Sequence, residues 1–156
     1  MQPSLKNPIG ITMTVQNLLK GKGTFVPVIP ADVRLQDVID QLELDKTGAL
    51  VVTNEDRGII GIITERDIAR GLKTFGRNVV DKPLRDMMTR DVFTCDVSQP
   101  LTAVLELMDK QQIQYVPITK NGKLCGIINM LDLVKFRLDE IENEAKALKA
   151  YVAGSG

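Results

Sequence analysis

Two stretches of the chain are close copies of each other: GIITERD at residues 61–67 and GIINMLD at residues 126–132. The glycine, the two isoleucines and the final aspartate coincide at an offset of 65 residues. Upstream, the apolar positions of residues 35–50 recur in residues 101–116 at an offset of 66. Because self-similarity at a fixed spacing indicates a repeat architecture, the chain is predicted to contain two copies of one unit.

Both copies predict the same order of secondary structure. A short strand, at residues 25–29 and again at 92–95, precedes a helix whose apolar residues recur at helical spacing. Two further strands follow, joined by a polar turn that contains glycine, and a second helix opens at Thr64 or Asn129. The predicted fold class is therefore α/β (α+β), with two tandem β-α-β-β-α repeats. A three-stranded sheet cannot be covered on both faces by two helices, so we expect the copies to pack sheet to sheet.

The domain boundaries follow from the repeat. They are an N-terminal extension at 1–13, a first repeat at 14–76, a linker at 77–83, a second repeat at 84–138, and a C-terminal helix with a tail at 139–156. Apolar residues of the C-terminal helix step by four and three, which is typical of a heptad seam; they are Val134, Leu138, Ile141, Ala145, Leu148 and Val152. We expect this seam to contact a second subunit, and packing against its own module is the alternative.

Composition excludes several classes of function. The 156 residues carry 20 lysines and arginines against 20 aspartates and glutamates, so the basic excess typical of nucleic-acid binding is absent. The chain has no histidine, which excludes histidine-based catalysis and histidine-ligated metals. Cys95 and Cys125 fit neither a metal site nor a redox pair, so we expect reduced thiols in a cytoplasmic protein. No apolar run reaches transmembrane length, so no membrane partner is expected.

The repeated motif and the order of elements resemble a tandem pair of cystathionine-β-synthase (CBS) domains, a Bateman module of the stand-alone type. The resemblance covers about residues 14–138 and is carried by residues 15–19, 61–67, 84–88, 115–118 and 126–132. It implies a homodimeric, non-catalytic sensor that binds adenine nucleotides such as AMP, ADP, ATP or NAD(H) between the two copies. It also implies a separate regulated protein, whose identity the sequence does not reveal, and no catalytic cofactor or metal.

Thr64 and Asp67 lie where a strand passes into a helix. One interpretation is a capping box that satisfies the free amides of the first helical turn. The other is a ligand site, because a helix N-terminus favours phosphate and a carboxylate can accept both hydroxyls of a ribose. In the second copy Asn129 replaces the threonine and Asp132 remains. Asparagine also caps helices, and its amide can donate to phosphate.

The resemblance assigns two ligand sites, each with its base against the opposite copy. The first site contains Thr64, Arg66, Asp67, Val92, Thr94, Gln114, Tyr115 and Pro117. The second contains Lys22, Gly23, Thr47, Gly48, Ala49, Asn129 and Asp132. Structural alternatives stay open for two of these residues: Gly48 as the C-cap of a helix and Tyr115 as a half-buried strand residue. Because Arg66 adds positive charge, we expect the first cleft to take the longer ligand, a dinucleotide, and the second to take AMP.

Two rival functions remain, and a third possibility is another adenosyl ligand, such as S-adenosylmethionine. A ligand-free dimerisation module would use its motifs only as helix caps. A small nucleotide-processing enzyme is the other rival, but the sequence contains no P-loop, no histidine and no clustered carboxylates for a metal.

Overall fold

The computed structural model describes residues 13–23 and 25–154; residues 1–12 of the predicted N-terminal extension and the last two residues of the tail lie outside this range. The first half contains α1 (Val15–Lys22), β1 (Val28–Pro30), α2 (Leu35–Asp45), β2 (Ala49–Thr53), β3 (Ile59–Thr64) and α3 (Glu65–Phe75). Two 3-10 turns follow, at Gly76–Asp81 and Leu84–Asp86. The second half contains β4 (Cys95–Asp96), α4 (Leu101–Gln111), β5 (Tyr115–Lys120), β6 (Lys123–Asn129) and α5 (Met130–Gly154).

Each repeat forms one mixed three-stranded sheet, as predicted. The strand orders are β1-β2-β3 and β4-β5-β6, with the first pair parallel and the second antiparallel in both sheets. The first strand of each sheet is shorter than predicted, because only residues 28–30 and 95–96 pair with a neighbour. Val26 and Val92, which were predicted to be strand residues, instead pack into the apolar layer between the two sheets.

The two sheets pack against each other through a small apolar layer, which confirms the predicted sheet-to-sheet arrangement. Ala49, Val51, Ile62 and Ile127 are buried in this layer. The opposite face of each sheet is covered by helices, which close a separate hydrophobic core for each repeat. Any site at the edge of the layer is therefore lined by both repeats.

Each repeat is completed by the segment that precedes the other one. We call residues 14–22 and 83–89 the lead-in segments. The first packs Val15, Leu18 and Leu19 into the core of the second repeat, and the second packs Leu84, Met87 and Met88 into the core of the first. The backbone follows the same crossed pattern, because Val15 N–H donates to Gln99 (2.9 Å) and Leu84 N–H donates to Val33 (2.8 Å).

The repeated glycine of the motif makes room for these lead-in segments. A Cβ on Gly61 would lie 2.7 Å from the sulfur of Met88 and 3.1 Å from the carbonyl oxygen of Thr89. A Cβ on Gly126 would lie 2.9 Å from a methyl carbon of Leu19. Glycine recurs in both motifs because the opposite lead-in segment packs directly on the strand.

Helix α5 extends well beyond the second repeat. Its Leu133 is buried in the core of that repeat. The six residues of the predicted seam are all exposed in the single chain, with Leu138 at 59% and Leu148 at 64%. Among the described residues, no helix is both long and apolar enough to span a membrane.

Candidate functional site

The start of α3 is fixed by a capping box. Thr64 has an extended backbone, and its hydroxyl accepts a hydrogen bond from the N–H of Asp67 at 3.4 Å. The Asp67 carboxylate accepts in return from the N–H of Thr64 at 2.9 Å. The backbone N–H of Glu65 donates to the carbonyl of Gly48, which ties the helix start to the chain just before β2. The structure therefore contains the predicted cap, and the cap also orients both side chains of the candidate site.

Asp67 is the buried charged residue of the described chain, with 4% of its surface exposed. Its Oδ2 accepts from the N–H and the hydroxyl of Thr64. Its Oδ1 accepts from the guanidinium of Arg70 at 3.2 Å and from the hydroxyl of Thr89 at 3.0 Å. Thr89 comes from the second lead-in segment, so Asp67 joins the two repeats.

A cavity of about 600 Å³ opens beside this helix start, between the two repeats. Its volume lies within the range of small-molecule sites. Six of the eight residues predicted for the first site line it: Thr64, Arg66, Asp67, Val92, Gln114 and Tyr115. Residues from both repeats thus meet in one cleft, which we call the first cleft.

Two predicted residues do not line the first cleft. Thr94 is exposed beyond its edge, and Pro117 is buried further along β5, opposite Ile127. The structure adds residues that the sequence did not single out: Ile62, Glu65, Arg70, Thr89, Asp91, Phe93, Gln111, Gln112 and Ile113. Thr89 could have been found from the repeat itself, because it directly follows the segment that matches residues 15–19.

The charges around the first cleft are close to balance, with a small acidic excess. The guanidiniums of Arg66 and Arg70 face the carboxylates of Glu65, Asp67 and Asp91. Arg66 already donates to the carbonyl of Gln112 at 2.7 Å, and Arg70 is paired with Asp67. The cleft is therefore less positive than the sequence suggested when Arg66 alone was considered.

Tyr115 lies between the two repeated motifs. Its hydroxyl packs against Gly48 so closely that no Cβ would fit there, and the Glu65 carboxyl lies beside the same glycine. Burial raises the pKa of the Tyr115 hydroxyl, and the negative charges of Glu65 and Asp132 raise it further. Those carboxylates belong to different motifs, so the charges of both motifs act on the pKa of Tyr115.

The second motif forms the same capping box. Asn129 N–H donates to Asp132, and Asp132 N–H donates to the side-chain oxygen of Asn129, both at 2.8 Å. The ammonium of Lys22 lies 2.5 Å from Asp132 Oδ2 and donates to the carbonyl of Ile127. Lys22 thus contacts Asp132 from the first lead-in segment, much as Thr89 contacts Asp67 from the second.

The rest of the predicted second site includes residues at the start of β2. Ala49 is fully buried there, and the hydroxyl of Thr47 hydrogen-bonds its backbone. The interpretation of Gly48 as a C-cap is wrong, because α2 ends at Asp45 and its C-cap is Lys46, in the left-handed conformation (φ 52°). Because Gly48 has no side chain, it instead leaves room for the hydroxyl of Tyr115. None of the seven residues predicted for the second site lines the first cleft.

Comparison with known proteins identifies the family. The sequence model of the CBS domain matches twice, at residues 24–74 and 84–139. The chain belongs to the CBS domain family. A CBS-domain containing protein of Agrobacterium tumefaciens has a solved structure with 33% identity and a TM-score of 0.78, covering 80% of this chain and 99% of that one.

Two further relatives extend this picture of the CBS pair. The mitochondrial CBS domain-containing protein CBSX3 of Arabidopsis thaliana is 26% identical over 98% of this chain and 79% of its own. The CBS domain pair of protein MJ0100, solved in complex with 5′-methylthioadenosine and S-adenosyl-L-methionine, is 25% identical with a TM-score of 0.68. That match covers 81% of this chain and 96% of that one. Such CBS pairs are regulatory modules, and a CBS-pair neighbour of this chain binds adenosine derivatives.

Proposed function

We propose that this CBS pair is a non-catalytic regulatory module that binds an adenine nucleotide in the first cleft. The observation that carries the proposal is the cavity of about 600 Å³ that joins a helix start bearing Thr64 and Asp67 to residues of the other repeat. A phosphate at the N–H groups of α3 and a ribose at Asp67 would use the polar end of this cleft.

Asp67 can accept a ribose without losing its role as a cap. Its Oδ2 serves the cap, whereas its Oδ1 bonds Arg70 and Thr89. The side chain of Arg70 is 63% exposed, so giving up this ion pair costs little. Ribose hydroxyls that replace these two donors would keep the buried carboxylate satisfied, as a buried charge requires.

The base would lie at the apolar end of the cleft. Val92, Phe93 and Ile113 supply apolar surface there, and Tyr115 supplies an aromatic face. Ring faces and aliphatic side chains suit a flat heterocycle. The complex of protein MJ0100 with adenosine derivatives supports adenosine as the shared part of the ligand.

The charges of the cleft favour ligands with few phosphates. Three carboxylates against two guanidiniums would repel a triphosphate more than a monophosphate. Of the nucleotides expected from the sequence, AMP and NAD(H) therefore fit this cleft better than ATP.

The predicted second site, around Asn129 and Asp132, should bind nucleotide more weakly than the first cleft. The ammonium of Lys22 is paired with the carboxylate of Asp132, the residue that would accept the ribose. A phosphate that attracted Lys22 would free this carboxylate, so binding there requires Lys22 to leave its ion pair, whereas binding in the first cleft requires Arg70 and Thr89 to leave Asp67 Oδ1.

Thermal unfolding with and without nucleotide tests the proposal. A ligand that binds only the native state at 100 times its dissociation constant adds about 2.7 kcal/mol to the free energy of unfolding, which raises Tm by several degrees. AMP at millimolar concentration should raise Tm, and GMP, which differs only in its base, should raise it less. Equal Tm values without ligand and with AMP, ADP, ATP and NADH would contradict the proposal.

A ligand-free structural module is the second candidate. It is favoured by the complete capping boxes at both motifs and by the four hydrogen bonds that Asp67 already accepts. In that case no adenine nucleotide would bind, and substitution of Thr64 would lower stability alone.

We also propose that the chain is a cytoplasmic homodimer without enzyme activity that passes its state to a separate protein. The exposed seam of α5 supports the dimer, and the free thiols of Cys95 and Cys125 suit a reducing compartment. Incubation with ATP and magnesium followed by product analysis tests the absence of catalysis, because released ADP or AMP above the rate without protein would contradict it.

A further inference from the structure

A cavity of about 550 Å³ lies on the first repeat, where β1 and β2 end. We call it the strand-end cavity. Its volume is within the range of small-molecule sites. It shares no lining residue with the first cleft, and no residue predicted for either nucleotide site lines it. Any ligand that it binds is therefore separate from the nucleotide.

Part of the lining of the strand-end cavity is apolar. Ile29 and Met88 are buried in the core of the first repeat and also line this cavity. Ile60 is half-buried and Val28 is exposed, and both belong to the same lining. Because burial of apolar surface is favourable, this wall can hold an aliphatic side chain.

Two carboxylates of the lining come from the ends of neighbouring parallel strands. Pro30 of β1 is paired with Thr53 of β2, and Asp32 and Glu55 each follow two residues later. Parallel strands that are paired in this way end at the same edge of the sheet. The two acidic residues therefore come from one edge.

Two guanidiniums of the lining come from the chain between the repeats. Arg85 belongs to the second lead-in segment, and Arg90 directly follows that segment. Arg90 donates to the carbonyl of Arg85 at 3.1 Å, which keeps the two arginines together. In the described chain neither arginine forms an ion pair with Asp32 or Glu55. The cavity thus offers a basic pair and an acidic pair that do not neutralise each other by direct contact.

We propose that the strand-end cavity binds an apolar α-amino acid. Its α-carboxylate would bind Arg85 and Arg90, and its α-ammonium would bind Asp32 and Glu55. Its side chain would pack on the apolar wall. A zwitterion satisfies both pairs, whereas the acidic pair would repel a phosphate and the basic pair would repel a simple cation. The inference goes beyond the proposed function, because it concerns another ligand at another place.

Titration of the unmodified chain with L-leucine, followed by two-dimensional NMR, tests this inference. Backbone signals of the strand ends, at Asp32 and Glu55, should shift and reach saturation. N-acetyl-L-leucine lacks the ammonium and L-leucinamide lacks the carboxylate, so each should bind about tenfold more weakly than L-leucine.

Two results of this titration would overturn the inference: no saturable binding of L-leucine, or equal binding of all three compounds. A separate titration with AMP reports on the proposed function, because the strand-end cavity shares no lining residue with the first cleft. Failure of one ligand to bind is thus distinguishable from failure of the other.

Paired substitutions locate the two charges of the amino acid. Asp32→Asn with Glu55→Gln should remove the advantage of L-leucine over N-acetyl-L-leucine and keep its advantage over L-leucinamide. Arg85→Gln with Arg90→Gln should have the reverse effect. All four side chains are exposed, so the fold should persist. Arg77→Gln, at an exposed arginine that lines none of these cavities, is the control that should keep both advantages. If either paired variant kept both advantages, the inference would fail.

Discussion

The hydroxyl of Thr89 donates a 3.0 Å hydrogen bond to the carboxylate of Asp67, and this bond crosses from one repeat to the other. Lys22 makes the matching contact to Asp132 from the other lead-in segment. Both motif aspartates are therefore structural contacts between repeats and candidate ribose acceptors. A nucleotide that binds Asp67 would exchange this contact between repeats for a contact with ligand, which gives binding a route to change how the repeats meet.

Thr64→Ala should lower both stability and nucleotide affinity. Loss of the cap should cost about 1 kcal/mol in the free energy of unfolding. On nucleotide binding this hydroxyl would turn from Asp67 to the phosphate, so its loss should weaken AMP binding roughly tenfold. Denaturant unfolding and calorimetry measure the two effects.

Thr14→Ala is the matched control for that substitution. Thr14 caps α1 through the same kind of capping box, formed with Asn17, and does not line the first cleft. It should lose similar stability and keep its affinity for AMP. Equal AMP affinities in both variants would show that Thr64 acts only as a helix cap.

Gly61→Ala should destabilise the chain because the new methyl group would collide with Met88 and with the carbonyl of Thr89. Overpacking of this kind costs about 1–3 kcal/mol. Gly21→Ala is the opposite case, since Gly21 lies inside α1 with nothing within 4 Å of its added Cβ. It should stabilise the helix by up to about 1 kcal/mol. Urea unfolding of both variants checks the difference, and a neutral Gly61→Ala would show that the lead-in segment does not pack on β3.

Asp91→Asn should shift the preference of the first cleft toward ATP. It removes one carboxylate from the lining, so the ratio of AMP to ATP affinity should fall about threefold at low salt. Asp86→Asn makes the same change of charge at an exposed position outside the cleft and should leave the ratio unchanged. An unaltered ratio in both variants would mean that this carboxylate does not face the phosphates.

Tyr115 should titrate at higher pH than an exposed tyrosine. Burial and the charges of Glu65 and Asp132 raise its pKa in the folded state above the ordinary value near 10. The folded state therefore holds this proton more tightly, so the associated stability is present below the unfolded pKa and is lost as the pH rises through the folded pKa.

The Tyr151→Phe variant leaves Tyr115 as the single tyrosine of the chain, so its titration can be followed by ultraviolet absorbance. Stability measured across the same alkaline range should fall less steeply when Tyr115 is replaced by phenylalanine. A midpoint at the value of a free tyrosine would contradict the placement of this side chain between the two motifs.

Leu138→Glu should convert the proposed dimer into a monomer. Leu138 is exposed at the centre of the α5 seam, and a charge there could not be buried against a second copy without a large penalty. Sedimentation equilibrium measures the change, with Leu44→Glu on α2 as the control that should remain dimeric. If the wild-type chain sedimented as a monomer, the seam would not be a dimer interface.

The repeat made most of the fold predictable. Apolar spacing predicted the helices that the structure shows as α2 and α4, and the motif placed the cap at Thr64. The crossed packing of the lead-in segments was not predictable from local patterns, because residues 15–19 have the same apolar spacing whichever core they enter. The packing of Val15, Leu18 and Leu19 in the structure shows that the core of the second repeat receives them.

The candidate site was predictable in part. Six residues of the first cleft follow from the motif and from the resemblance. Its small excess of negative charge comes from Glu65 and Asp91, and the sequence does not show that these two side chains line the cleft. The resemblance placed Lys22 and Asp132 in one site, and the structure brings these residues, 110 positions apart, into direct contact. Their ion pair was not predicted, because the sequence does not show which group the Lys22 ammonium meets.

A crystal structure of the chain grown with AMP tests the central claim most directly. The account predicts one AMP in the first cleft, with its ribose hydroxyls within hydrogen-bond distance of Asp67 Oδ1, its phosphate at the start of α3, and Arg70 and Thr89 released from that oxygen. A first cleft without nucleotide at saturating AMP, with the Asp67–Thr89 bond intact, would contradict it.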